Sequence, residues 1–157
     1  MVAASKGVTL IELMIVIAII GISAAALIPL GTSWVAKTQV DKTQKLLVEA
    51  YSKAVTEAIK NPNGIRQTDT DSMVAKLTVA NGSGGAEGVI NVKASDDSTV
   101  LWSAEYPAAV SIALNASSST CTALELNNNA ARISTTCTGG YTISRSGVSN
   151  VTFTAQF

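Results

Sequence analysis

The chain of 157 residues contains no histidine, two cysteines and few aromatic side chains. Histidine is the commonest general base and metal ligand, so its absence argues against hydrolytic and metal-dependent catalysis. Cys121 and Cys137 by themselves cannot complete a conventional zinc site. We therefore expect no enzyme, no metal and no cofactor, although a catalytic site built from carboxylates alone stays open.

Charge is also scarce, at 14% of residues against about a quarter in a typical soluble domain. The 11 basic and 11 acidic side chains balance, which gives no bulk attraction to nucleic acid or to an anionic surface. The mean hydropathy is nevertheless positive. The length fits one domain, or a smaller domain with an appendage.

A long apolar segment near the N-terminus contains one carboxylate. Between Leu13 and Ile28 the one polar side chain is Ser23. With the residues before Leu13, the segment reaches about 20 residues, enough for a helix to cross a bilayer. Glu12 interrupts it, at a cost of several kcal/mol in hydrocarbon. One interpretation is a cleaved secretory signal with Lys6 as its basic part, but Glu12 would then lie in the apolar core of that signal.

The stretch "KGVTLIEL", Lys6 to Leu13, resembles the class III signal of type IV prepilins and of the related type II secretion pseudopilins. A short leader, residues 1–7, ends in Lys-Gly, and Glu12 is the fifth residue after it. The resemblance implies cleavage between Gly7 and Val8 by prepilin peptidase, N-methylation of Val8, and retention of the apolar segment. The family usually has Phe where this chain has Val8.

The resemblance also assigns a role to Glu12. It implies that this carboxylate pairs with the Val8 ammonium of a neighbouring subunit and so sets the axial register of an assembly. An unmatched carboxylate in hydrocarbon would penalise other registers. The alternative is a carboxylate that reaches to the membrane interface. The implied partners are other pilin subunits, the prepilin peptidase/methyltransferase, an inner-membrane assembly platform and, before assembly, inner-membrane lipid.

Helical periodicity predicts one helix over residues 9–60, roughly 75–80 Å long at 1.5 Å per residue. Residues 8–30 would be a transmembrane and assembly helix, and residues 31–61 its amphipathic half. Gly21 and Pro29 predict a kink or local melting, since the helical pattern resumes after Pro29. Pro29 also stands where the family has a proline, although "PLGTSW" departs from its usual Tyr-containing run. The residues expected on the buried face are Val40, Leu47, Tyr51, Ala54, Val55, Ala58 and Ile59.

Residues 62–157 read as a β-rich head, and "NPNG", Asn61 to Gly64, predicts the end of the helix. Short β-branched runs predict strands, with Cys121 to Ile133 ambiguous between helix and strand. The runs are Met73–Ala80, Gly88–Lys93, Thr99–Trp102, Ala108–Leu114, Tyr141–Arg145 and Asn150–Phe157. The predicted fold is α+β, a long helix packed on a small antiparallel sheet, which matches the lollipop shape that the pilin resemblance implies.

Cys121 and Cys137 are expected to form a disulfide, because an exported protein meets an oxidising compartment and many type IV pilins carry a C-terminal disulfide-bounded region. Closing residues 121–137 would stabilise the fold by about 3 kcal/mol. Arg132 and Arg145, near this loop, are candidates for a weak DNA or partner patch. The head carries seven acidic residues against five basic ones, so DNA is not favoured over scattered solubilising charges.

"AVTEAIKN", Ala54 to Asn61, together with Trp34, resembles minor pilins and pseudopilins of the FimT/FimU/GspH type; a generic amphipathic helix explains it equally well. The resemblance to type IV prepilins thus implies a pilus subunit, first a single-pass precursor in the bacterial inner membrane with a periplasmic head, then part of an extracellular filament. The filament would serve adhesion, twitching motility or DNA uptake. A type II secretion pseudopilin, a DNA-binding or initiating minor pilin, and a membrane-anchored enzyme or receptor remain the alternatives.

Overall fold

The computed structural model describes residues 7–66, 68–116, 121–133, 137–146 and 151–157, with the side chains of residues 26–30, 115, 116, 138 and 151 outside the description. The predicted leader, apart from Gly7, lies outside the described residues. The same holds for the first residue of the last predicted strand, Asn150.

One helix, α1, spans Leu10–Lys60, 51 residues without a break. Thr9 caps its N-terminus, and Asn61 ends it in the left-handed conformation at φ 45°. The Asn61 side chain then pairs with the backbone of Ile65, accepting from N–H at 2.9 Å and donating to C=O at 2.7 Å. The predicted stop is confirmed, and Asn61 supplies its mechanism, since asparagine tolerates this conformation better than most residues.

Seven strands form two antiparallel sheets in the described part of the chain. The strands are β1 Ala75–Ala80, β2 Gly88–Ala94, β3 Val100–Tyr106, β4 Val110–Ala116, β5 Ala123–Leu126, β6 Cys137–Arg145 and β7 Val151–Gln156. The four-stranded sheet has the order β3-β2-β1-β5, and the three-stranded sheet has the order β4-β6-β7. The α+β prediction is confirmed, but the head has two sheets rather than one.

The core lies between one face of α1 and the inner faces of both sheets. Buried helix residues recur every three or four positions, as one face of an α-helix requires. They are Ala36, Val40, Thr43, Leu47, Ala50, Ala54 and Ala58. The sheets contribute alternate residues such as Leu77, Ile90 and Ile143. Of the predicted helix face, Tyr51 and Val55 are half-buried, whereas Ile59 is exposed and was wrongly included.

Polar side chains join separate parts of the head. Asn81, just after β1, donates to the Ile112 carbonyl at 2.9 Å and accepts from its N–H at 2.7 Å. The Tyr106 hydroxyl donates to the same Asn81 oxygen at 2.7 Å, so one asparagine connects the two sheets. Buried Asn128 donates to the Ile65 and Arg66 carbonyls, which ties the segment after α1 to the turn after β5.

Candidate assembly interface

The first half of α1 exposes apolar side chains on every side. Leu10 is 77% exposed and Leu13 58%, and the same holds as far as Ile22. A helix that is hydrophobic all round is normally buried in a large core, in a membrane or among partner chains. No strand of the head lies against this half among the described contacts. The surface is therefore a candidate interface, which we call the apolar half (residues 8–25).

Glu12 lies at the N-terminal end of the apolar half, in the first turn of α1. Its backbone N–H donates to the Thr9 hydroxyl at 3.3 Å, so Thr9 is the N-cap. Thr9 and Glu12 have the spacing of a capping box, a signal that the sequence analysis missed. The Glu12 carboxylate itself is exposed and has no hydrogen bond or ion pair within the described residues. The helix dipole favours a negative charge at this position.

Val8 precedes the cap, and its exposed fraction is 74%. The adjoining Gly7 is also exposed. The predicted cleavage bond is thus in an exposed segment just before the helix, where a peptidase can reach it. The helix backbone continues through Gly21 and through position 29. The side chain of Pro29 lies outside the description, and the kink expected there stays a prediction.

Serine and threonine side chains of α1 satisfy their own hydroxyl groups within the helix. Ser23 donates to the Ile19 carbonyl at 2.8 Å, and Thr43 donates to the Gln39 carbonyl at 2.9 Å. Such back-bonding removes a free donor from an apolar surface, which matters for Ser23 in the apolar half and for fully buried Thr43. The helix can therefore carry these polar residues without an outside partner.

In the described part of the chain, no helix combines the length and the apolar character needed to cross a membrane.

Cys121 and Cys137 form a disulfide with a Cα–Cα distance of 5.6 Å, as predicted. Both cysteines are buried. The backbone of Cys121 forms an isolated β-bridge with Leu114 of β4, and Cys137 is the first residue of β6. The disulfide therefore joins the segment leading into β5 to the three-stranded sheet. It stabilises the head and lies far along the sequence from the apolar half.

The structure does not bring Arg132 and Arg145 into one patch. Arg132 packs its guanidinium over Gly139, near the start of β6, where a Cβ atom would collide with it. Arg145 ends the same strand and donates through Nε to Gln39 of α1 at 2.7 Å. Six residues of strand, roughly 20 Å at 3.3 Å per residue, separate the two ends. The arginines serve packing and the contact between head and helix.

Opposite charges pair on the outer side of the four-stranded sheet. Lys76 lies 3.1 Å from Asp97 and 3.5 Å from Glu125, and Lys93 lies 3.4 Å from Asp97. The hydrogen bond from Lys76 lowers the pKa of Asp97, and the reciprocal bond raises the pKa of Lys76. Hydrogen bonds from Thr99 and Ser98 hold the pKa of Asp96 well below its ordinary range. Burial raises the pKa of Tyr106 to about 12.

These groups form structural ion pairs and turns, and no metal-binding cluster of Cys, Asp and Glu occurs among the described residues. Two cavities flank α1. One, of about 520 Å³, runs along the exposed side of the helix from Asp41 to Glu49. The other, of about 390 Å³, lies between α1 and strand β3.

The prokaryotic N-terminal methylation motif matches residues 3–28 of the chain. Curated relatives include a type IV major pilin protein PilE1 of Neisseria gonorrhoeae, 43% identical over 88 residues, which are 49% of this chain and 41% of the relative. A fimbrial protein of Pseudomonas aeruginosa is 40% identical over 103 residues, 62% of this chain and 65% of the relative. A fimbrial protein of Neisseria meningitidis is 45% identical over 73 residues, 46% of this chain and 42% of the relative.

The chain thus spans less than half of the Neisseria relatives and just under two thirds of the Pseudomonas relative. No solved structure matches it.

Proposed function

We propose that this chain, which belongs to the type IV pilin family, is a structural subunit of a type IV pilus. Family membership indicates a structural rather than a catalytic protein and implies assembly with other pilin subunits. The finer proposal is that prepilin peptidase removes residues 1–7, that Val8 is N-methylated, and that the apolar half packs among those of neighbouring subunits. Before assembly the apolar half would anchor the precursor in the bacterial inner membrane, where an assembly platform collects it.

The observation that carries the proposal is the exposed Glu12 carboxylate at one end of an exposed apolar helix, where it has no partner among the described residues. The Thr9 hydroxyl already accepts a hydrogen bond from the backbone N–H of Glu12 and caps the helix. This donor therefore does not require the Glu12 carboxylate. Cleavage after Gly7 would create an ammonium group one residue before that cap. A neighbouring subunit could then supply a positive charge to Glu12, and pairing would offset the cost of placing both charges among apolar side chains.

The head supports this role by remaining folded while the apolar half changes its surroundings. Among the described side chains of α1, those that enter its core lie in the second half, from Ala36 onward. A subunit could therefore pass from lipid into a filament without unfolding the head. The relatives named as major pilin and fimbrial proteins support a structural subunit of a pilus.

The test replaces Glu12 by Ala and by Gln in a piliated host, with Glu49→Ala as the control at an exposed helix position outside the apolar half. We expect the two Glu12 variants to be cleaved and to remain in the membrane fraction, but to enter sheared filaments poorly. Glu49→Ala should assemble normally. Normal assembly of both Glu12 variants would refute the pairing role.

Mass spectrometry of the sheared filaments tests the identity of the subunit itself. A dominant species that begins at methylated Val8 would support a major pilin, and a trace species would support a minor pilin. Complete absence of the chain from surface filaments, together with its requirement for protein secretion, would overturn the pilus proposal in favour of a type II secretion pseudopilin.

A further inference from the structure

The cleft between the end of α1 and strand β3 has an irregular strand as one wall. Val92 of β2 pairs with Trp102 of β3, yet the next residue, Lys93, pairs with Val100, so Leu101 is an extra residue in β3. Successive residues of a regular strand point to opposite faces. At this bulge both Leu101 and Trp102 line the cleft. Bulges that redirect side chains in this way are common beside binding sites.

The opposite wall is the flank of α1, and it is polar. Lys53, Thr56, Glu57 and Lys60 lie on one side of the helix, at intervals of three and four residues. Lys60 pairs with Glu57 at 3.3 Å. Lys53 is exposed and has no hydrogen bond or ion pair within the described residues. The cleft therefore carries one uncompensated ammonium group facing an apolar and aromatic wall.

From this lining we propose that the cleft binds a small acidic saccharide, a sugar ring that carries a carboxylate. The volume of about 390 Å³ is at the lower end of the 300–1,000 Å³ typical of ligand sites, which suits one or two rings. A sugar ring presents an apolar C–H face that packs on the Trp102 indole. Its carboxylate accepts charge-assisted hydrogen bonds from Lys53.

The hydrogen-bond acceptors of the cleft favour an acidic sugar over an aliphatic carboxylate. The Thr56 hydroxyl donates its proton to the Ser52 carbonyl at 2.8 Å, so towards the cleft its oxygen acts as an acceptor. Glu57, with its side chain 19% exposed, adds carboxylate oxygens beside Lys60. Sugar hydroxyl groups supply donors to these oxygens, whereas an aliphatic carboxylate would leave them without a donor when it displaced water. Ring, hydroxyls and carboxylate thus each meet a matching group.

The test uses the full-length chain in detergent, with Trp34→Phe so that Trp102 is the one tryptophan. Its fluorescence is titrated with glucuronic acid, with glucose as the neutral comparison and hexanoate as the aliphatic carboxylate. We expect a saturable change with glucuronic acid, and binding about tenfold weaker or more for glucose, because the ammonium contact is lost. Equal affinity for glucose, equal affinity for hexanoate, or no saturable change would each overturn the proposal.

Two helix variants locate the site. Lys53→Gln should weaken glucuronic acid about tenfold while leaving the Glu57–Lys60 pair in place. Lys37→Gln, at an exposed lysine about four turns of α1 away from Lys53, should leave the affinity unchanged. An unchanged affinity in Lys53→Gln would place binding elsewhere and refute the assignment. None of these results depends on filament assembly, so failure here would leave the proposed pilus function intact.

Discussion

The two halves of α1 share one continuous backbone but differ in what surrounds them. From Ala36 to Ala58 every third or fourth side chain is buried beneath the head, whereas from Val8 to Ile22 the apolar side chains are exposed on all sides. The second half is stabilised by packing within the chain, as amphipathic helices generally are. The first half leaves its hydrophobic surface unburied. The comparison indicates that the head buries its own core, whereas the apolar half leaves exposed the surface that we propose other subunits cover.

A matched pair of leucine substitutions would test this comparison most strongly. Leu47 is fully buried under the head, and Leu13 is 58% exposed. Leu47→Ala should lower the free energy of unfolding by about 2–5 kcal/mol, because it leaves a cavity in the core. Leu13→Ala should change it by less than about 0.5 kcal/mol. Urea unfolding in detergent, followed by near-ultraviolet circular dichroism, measures both. Equal losses would mean that the halves are not independent.

Removing the disulfide sharpens the comparison from the side of the head. The double variant Cys121→Ser, Cys137→Ser should lose about 3 kcal/mol of stability, because its unfolded chain is no longer constrained by the closed loop. The membrane association that we propose for the apolar half should be unchanged. Wild-type protein unfolded in urea with a reductant is the control and should shift by the same amount. A loss of membrane association in the double variant would contradict the separation of head and apolar half.

Asn81 tests whether the head behaves as one unit. Asn81→Ala removes the side chain that pairs with both backbone groups of Ile112 and accepts from Tyr106. We expect a loss of about 1–3 kcal/mol, since the partners are left in a partly buried environment. Asn91→Ala, at a half-buried position of β2, is the control and should cost less. Two separate unfolding transitions in Asn81→Ala would show that this residue couples the sheets.

The smallest expected effect is the response of the head to acid. The pKa values of Asp96 and Asp97 are lowered in the folded state, by hydrogen bonds from Thr99 and from Lys76 respectively. As the pH falls, the unfolded chain therefore takes up these protons first, near the ordinary value of about 3.9. Their stabilisation is fully present above that pH and is lost on the way down to the folded values.

Asp96→Asn should accordingly flatten the dependence of stability on pH between about pH 5 and pH 2. The raised pKa of Lys76 acts in the opposite direction, since its contribution is present at neutral pH and is lost in strong alkali. Urea titrations at several pH values measure both limbs. Asp41→Asn, on the exposed side of α1, serves as the control and should keep the loss of stability in acid. The same loss of stability in Asp96→Asn would contradict the role given to Asp96.

The strands could be predicted because β-branched runs and turns act locally. Six predicted runs became strands with shifted ends, and the ambiguous Cys121 to Ile133 segment became β5 and an asparagine turn. Strand ends moved because pairing, not propensity, ends a strand; β3 extends to Tyr106 opposite Gly88. The division into two sheets was not predictable, since it depends on contacts such as Asn81 to Ile112, 31 residues apart.

The candidate sites divide in the same way. The roles of Gly7, Val8 and Glu12 are implied by a resemblance that one short segment carries, and they stay predictions. Buried Ala36, Thr43 and Ala50 escaped prediction because small or polar residues contribute little to a hydrophobic pattern. The bulge that places Leu101 beside Trp102 follows from strand register, which single-strand patterns do not contain.

The sequence alone determined the long helix, the apolar half with its single carboxylate, the cleavage signal and the β-rich character of the head. Each of these depends on residues within a few turns or one strand of one another. Tertiary structure decided which face of α1 is buried, the split into two sheets, the separation of Arg132 from Arg145, and the cleft beside Trp102. Those features arise from register and packing between distant segments, where a shift of one residue turns a side chain to the opposite face of its sheet.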